Sequence, residues 1–213
     1  MSKLRKIILI TLAIMMVCAT NAQTISRRVT VFKDFEPVVV HLVNGNPLKV
    51  GAANIFLKNS RLLYKSGTKV LEAKMDNIQS VDFANKTYFR VDTVLAYRVD
   101  SVGQNGLYCA TMIDMEAYAL DMANKRTITN LEISSQVSMA ALENNDKEDR
   151  EYPLQNHYFI KYNGKFIKAN ELYVLKAVPK SKKKVFWETV RQVGFSWQHE
   201  DSLMELLRVI SKE

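Results

Sequence analysis

The residues able to do acid–base, nucleophilic or metal chemistry are few and scattered. There are three histidines, His41, His157 and His199, and two cysteines, Cys18 and Cys109. None of the histidines falls in a zinc-type pair and no CxxC occurs, so a zinc site would need ligands gathered from distant segments. His41 alternates within an apolar run and His157 opens another, positions that suit structural or surface histidines. Asp34 and Glu36, in Phe32-Lys-Asp-Phe-Glu-Pro37, could form an acid–base or calcium pair at a loop tip. Pro37 beside them favours plain turn chemistry. Asp92 and Asp100 bracket Thr93–Val99 and read as strand ends. Cys109, His157 and Asn156 would make a thiol-protease-like set on paper, but no local signature accompanies them. There is no glycine-rich phosphate loop and no GxSxG elbow. No catalytic residue, no metal site and no cofactor is expected.

The basic residues say more. Lys180, Lys182, Lys183 and Lys184 cluster where a helix is expected to start. Cations there oppose the helix dipole, so helix propensity does not explain them. Contact with an anionic envelope surface or an acidic glycan would explain them. A solvated helix start that aids solubility is the plainer reading. Trp187 and Trp197 follow the cluster and suit the core of a helical pair better than a stacking platform.

The elements that must position these residues fall in two groups. Residues 28–113 carry short β-type runs separated by turn residues: Arg28–Phe32, Val38–Val43, Asn54–Leu57, Leu62–Tyr64, Lys69–Leu71, Ile78–Phe83, Thr87–Val91, Val94–Val99 and Leu107–Ile113. Turns recur every eight to twelve residues, the spacing of an antiparallel meander or barrel and not of βαβ units. Asp114–Lys125 has good helix formers with Asp114 as cap. Ile128–Ala141 could continue the sheet. Glu143–Glu151 has no apolar member and reads as a solvated loop. Asn163-Gly164 joins Asn156–Tyr162 to Lys165–Lys168 and is the strongest hairpin signal in the chain. Asn170 should cap a helix over Glu171–Val178 that Pro179 stops. Ser181 should begin another over Lys182–Val193, ending at Gly194. Leu203, Leu206, Leu207 and Ile210 form the apolar stripe of a last helix. The expected fold is α+β: an antiparallel β-meander or partly open barrel, then a hairpin and two to three short helices.

Residues 1–22 read as a secretory signal. Lys3, Arg5 and Lys6 precede eleven uncharged residues, Ile7–Val17, and Thr20-Asn-Ala22 offers a cleavage site. As a helix that run spans roughly 16 Å, about half a hydrocarbon core of ~30 Å. No transmembrane span is therefore expected once the signal is removed. Cys18 raises lipidation, but bulky Val17 before it departs from the lipoprotein pattern. The division expected is a signal at 1–22, a strand-rich part at 23–151 and a hairpin plus helical part at 152–213. Net charge divides the same way: the +8 of the whole chain is +3, zero and +5 on the three parts. A basic chain invites a nucleic-acid reading; three targeting charges and a basic tail with an exported neutral front do not support it.

The stretch Tyr158–Lys168, then Pro179–Lys184, then Phe195–Leu207 resembles a tail found in uncharacterised secreted proteins of Bacteroides-type bacteria. There an N-G or D-G hairpin precedes a Lys-rich helix and a short helix rich in Glu and Leu. The run from Asn54 to Phe83 resembles the front of such proteins. The resemblance implies export and brings no catalytic residues with it. Its final helix tends to begin with a capping Asn or Asp, where this chain has His199. The function expected is a secreted or periplasmic, non-enzymatic binding or envelope-associated module. A hydrolase acting on envelope or dietary polymers, and a structural protein assembling through sheet edges, are the alternatives.

Overall fold

A computed structural model describes residues 24–125, 130–144 and 150–212. The expected signal, with Cys18, and the centre of the charged tract at 145–149 lie outside the described residues.

The chain is α+β. Among the described residues eleven strands form one antiparallel sheet: β1 (Ile25–Ser26), β2 (Glu36–Leu42), β3 (Leu48–Phe56), β4 (Arg61–Ser66), β5 (Lys69–Glu72), β6 (Ile78–Phe83), β7 (Lys86–Val91), β8 (Val94–Val102), β9 (Asn105–Ile113), β10 (Tyr152–Tyr162) and β11 (Lys165–Lys168). The order is β1-β10-β9-β8-β7-β6-β2-β3-β4-β5, with β11 also paired to β10. Short connections join most neighbours, as a meander requires. Both outer edges are short: β5 has four residues including Lys69 and Glu72, and β1 has two. Short, charged edges discourage pairing with another chain.

The sheet curls into an open half-barrel. Its closing contact is the β3–β4 turn, which reaches across to β8. Ser60 is buried with φ +50°. Its hydroxyl donates to the Leu95 carbonyl at 2.7 Å, and the Leu95 amide donates back to the Ser60 carbonyl at 2.7 Å. Inside the curl lie Val38, Val40, Ile55, Leu62, Val81 and Phe83, the inward residues of alternating strands. Phe32 stacks on Phe83 at 4.5 Å between ring centroids and closes that core.

Among the described residues five helices cover the rest: α1 (Met115–Lys125), α2 (Asn130–Gln136), α3 (Glu171–Ala177), α4 (Lys183–Val190) and α5 (Glu200–Ser211). Asp114 caps α1 by accepting the Ala117 amide at 2.9 Å, and Asn170 caps α3 by accepting that of Tyr173 at 3.0 Å. Asn163 and Gly164 both have positive φ, +48° and +80°, as a two-residue hairpin turn of this hand needs. The stripe of α5 is buried as its spacing predicts: Leu203, Leu206, Leu207 and Ile210 are at most 1% exposed. They pack with Phe186 and Val174 against Leu107, Cys109, Tyr158 and Ile160 of β9 and β10. The helical end thus rests on the sheet itself, and β10 pairs with β9 across the 151/152 junction.

Three local expectations are revised. Arg28–Phe32 is not a strand: it is irregular, with a single bridge from Thr30 to Phe56. Of the segment Ile128–Ala141, residues 128 and 129 lie outside the described residues, and residues 130–144 do not continue the sheet. They form α2 and a 3-10 turn at Met139–Asn144, because Ile133 and Val137, one helical turn apart, both pack against Tyr118 and Tyr152. The helix expected over Lys182–Val193 with Gly194 after it is the shorter α4, Lys183–Val190: Lys182 belongs to the 3-10 turn before it, and Arg191 is its C-cap, so the helix stops four residues short of Gly194. His199, at the N-cap of α5, makes no side-chain cap bond; imidazole is not among the short oxygen-bearing side chains that cap helices well.

Candidate functional site

A cleft of about 670 Å3 lies where three segments meet. The irregular stretch 28–35 forms one wall, the β4–β5 hairpin a second, and the turn at Met139–Leu142 the third. Among the described residues four cations line it, Arg28, Lys33, Lys65 and Lys69, against one carboxylate, Asp34. None of the four is ion-paired among the described residues. The acid of β5, Glu72, is already taken by Arg61 at 2.8 Å and by Asn59 at 3.0 Å. Lys65 lies 4.8 Å from the Phe35 ring centre, a cation–π contact that holds its ammonium at the cleft wall. Thr68 adds a hydroxyl, whereas the buried Thr30 hydroxyl donates to the Phe32 carbonyl at 3.0 Å; Phe35, Val70 and Leu71 add an apolar floor.

One buried side chain fixes the wall at 32–35. Asn54 of β3 is 0% exposed and uses its whole amide. Its Nδ2 donates to the carbonyls of Phe32 at 2.9 Å and Asp34 at 3.0 Å. Its Oδ1 accepts the amides of Phe32 at 3.1 Å and Ile55 at 2.8 Å. A neutral amide is the group that offers both two donors and an acceptor here. Asn54 therefore does for this irregular segment what a neighbouring strand would do, and so positions Lys33 and Asp34.

The chemistry on offer is anion binding. General acid–base or nucleophilic work needs a base within reach of a nucleophile or a second acid; among the described residues this cleft presents cations, a hydroxyl and the single carboxylate of Asp34. Residues 23–151 carry no net charge, so four cations in one cleft, without ion partners among the described residues, are a local grouping of charge and not a share of a general excess. Such a lining raises the local concentration of anions.

The residues expected from sequence sit elsewhere. Glu36 begins β2 and does not line the cleft, while Asp34 does. Lys180 and Lys182 form a 3-10 turn leading into α4, which Lys183 and Lys184 begin. Lys182 Nζ donates to the Lys212 carbonyl at the C-terminal end of α5, where a cation favours the helix dipole. Lys184 Nζ lies 3.9 Å from Glu188, one turn on. Lys180 and Lys183 are exposed and make no ion pair among the described residues. Two of the four lysines thus have intramolecular roles that sequence did not signal. Trp187 and Trp197 pack around Phe186 in the helical core.

Cys109 faces that same core, 0% exposed, and burial pushes its thiol up. It pairs with Tyr158, so His157, the next residue along, points from the opposite face of the sheet. The set Cys109, His157 and Asn156 is not assembled. Among the described residues no group of histidine, cysteine and acidic side chains could hold a metal.

His41 does have an acidic partner. Its Nε2 lies 2.6 Å from Asp82 Oδ2, across β2 and β6, and Thr87 donates to Asp82 Oδ1 at 2.7 Å. In a catalytic triad the hydroxyl would meet the imidazole; here it meets the carboxylate, so the cluster is a half-exposed structural pair. The Thr87 hydrogen bond, then the His41 one, hold the Asp82 carboxyl below its usual range. A depressed acid stabilises the fold above its ordinary value of about 3.9 and loses that contribution as pH falls through the folded value. Thr87→Val should move the Asp82 titration upward, read from its carboxyl carbon by NMR. An unmoved midpoint would show that Thr87 is not the main cause.

Fold and cleft together define an α+β open half-barrel with an anion-complementary cleft at one side. No family model, no curated protein and no solved structure matches the chain. The cleft cations Arg28, Lys33, Lys65 and Lys69 were not evident from sequence. Their one signal is that Lys33, Lys65 and Lys69 flank turns.

Proposed function

We propose that this protein is an exported, non-enzymatic binding module whose cleft takes an acidic glycan of the kind found at cell envelopes. The observation that carries this reading is the lining of the cleft among the described residues: Arg28, Lys33, Lys65 and Lys69, without ion partners there, against the one carboxylate of Asp34. The open cleft suits an extended chain, and its hydroxyl and apolar floor suit sugar rings as well as their charges. The signal-like first 22 residues and the resemblance to secreted proteins support export. No helix among the described residues is long and apolar enough to cross a membrane.

The test is equilibrium binding of polygalacturonate fragments, with neutral dextran fragments as control. The full chain should bind the acidic glycan and not the neutral one, and binding should weaken as salt screens the cations. Lys33→Gln/Lys65→Gln/Lys69→Gln should lower affinity by about tenfold or more, three charge contacts at somewhat under 1 kcal/mol each. Unchanged affinity in that variant would remove the cleft from the proposal. A loss confined to Lys180→Gln/Lys182→Gln/Lys183→Gln/Lys184→Gln, or retention on anionic vesicles that only this variant abolishes, would place the contact on the basic tail instead.

A further inference from the structure

A second polar hollow, of about 370 Å3, lies between the β8–β9 turn and the Asn163-Gly164 turn. Its charged lining is Arg98 of β8 and Lys161 of β10, which flank β9 on either side. Between them Tyr108 of β9 supplies a phenol, and Ser101 and Asn105 supply further polar groups. No carboxylate lines it among the described residues; Asp100, two residues from Arg98, turns its Oδ1 to the Ser101 amide at 2.7 Å. Arg61 and Arg90 of the same sheet each have an acceptor, whereas Arg98 and Lys161 have no ion partner among the described residues. Two like charges facing one hollow repel each other until an anion sits between them.

The hollow is rigidly framed. Asn105 donates to Ser211 Oγ at 2.9 Å and accepts the Asn163 amide at 2.9 Å, so one side chain ties both turns to the end of α5. The Tyr108 ring is held edge-to-face by Phe89 at 5.5 Å and Phe166 at 4.9 Å. It lies close over Gly106, where an added Cβ would stand 3.0 Å from Cε2, so a side chain at that position would press on the ring. Arg98 is near enough for its charge to act on the Tyr108 hydroxyl.

We propose that this hollow binds the phosphate of a phosphomonoester, with Arg98 and Lys161 on its oxygens and the Tyr108 hydroxyl as a further donor. A monoester carries about −1.5 to −2 at neutral pH, which two cations match and which a carboxylate or sulfate ester, at one charge, does not. The guanidinium fork can take two oxygens at once while the ammonium acts as a point charge. The hollow has room beyond a bare phosphate, for the group that carries it. The site is separate from the cleft and does not depend on its ligand.

The test is an amide NMR titration of the full chain with inorganic phosphate, then glucose 6-phosphate. Saturable shifts are expected at Gly103, Gly106 and Gly164, weakened about tenfold or more in Arg98→Gln/Lys161→Gln. Arg98→Lys, which keeps the charge and loses the fork, should fall between. The cleft variant Lys33→Gln/Lys65→Gln/Lys69→Gln should keep these shifts in full, whatever it does to glycan binding. Competition by glucose 6-phosphate supports a soluble source of the group, and competition by phosphatidylcholine vesicles carrying phosphatidic acid supports a lipid source. Shifts that never saturate, or that persist in Arg98→Gln/Lys161→Gln while its thermal unfolding matches wild type, would overturn the proposal.

Discussion

Asn54→Asp should cost on the order of 3–5 kcal/mol at pH 7.5, the cost of an uncompensated buried charge, and clearly less at pH 4. The change swaps one nitrogen for oxygen without changing volume, so packing is not the cause. The new oxygen would face the carbonyls of Phe32 and Asp34 at the 2.9 and 3.0 Å now spanned by N–H donors. Two acceptors would lose their donors, and full burial would forbid water from replacing them. Desolvation and the two carbonyl dipoles would raise the carboxyl above its ordinary value of about 3.9 in the folded state. The folded protein would then hold the proton more tightly than the unfolded one. Stability must accordingly fall as pH rises from about 4 toward that raised value. Below it the protonated acid can still donate to one carbonyl. Urea unfolding of wild type and variant at both pH values gives the difference directly, and an equal loss at both would sink the account. The segment released carries Phe32, which closes the half-barrel, and Lys33 and Asp34, which line the cleft. Glycan affinity should therefore drop with stability, although Asn54 itself does not line the cleft.

The same residue marks the limit of what could be read from sequence. Where a strand alternates, as Val38 and Val40 do, or a turn demands positive φ, as Asn163-Gly164 does, the local pattern is the cause of the structure and is legible as such. Caps at Asp114 and Asn170 and the stripe of α5 belong to this group. Arg28–Phe32 looks like a strand because it alternates. What it becomes is decided by Asn54, a partner 22 residues from Phe32 in sequence. Residues 130–144 are ambiguous by themselves, since Ile133 and Val137 fit either a helix or a strand face, and Tyr118 and Tyr152 settle the matter from outside. The cleft cations come from three separate segments whose spacing carries no signature. The visible lysine cluster was the easier signal because it is contiguous, yet contiguity says nothing of Lys182 reaching the end of α5.

The second large effect concerns how far the helical end depends on the sheet. Phe186 of α4 is 0% exposed, set edge-on to Trp187 at 5.2 Å and near Trp197 at 6.4 Å. Phe186→Ala should cost about 3–5 kcal/mol, transfer and cavity combined. For a chain of this size that corresponds to a fall in Tm of about 10 °C. Tryptophan emission should shift red, since both indoles border the cavity. Cys109 gives a sharper readout. It lies in the same core and is 0% exposed with its thiol raised, so it should resist thiol reagents in the native protein. In a Cys18→Ser background it is the single cysteine, and its labelling rate reports opening of the helices from β9 and β10. Because α3 to α5 have no core apart from the one they share with Leu107, Cys109, Tyr158 and Ile160, the helices and sheet should unfold together. Labelling, tryptophan emission and far-ultraviolet dichroism should then trace one transition, shifted as a whole in Phe186→Ala. Labelling of Cys109 well before the sheet signal is lost would instead show that the helices detach as a unit of their own.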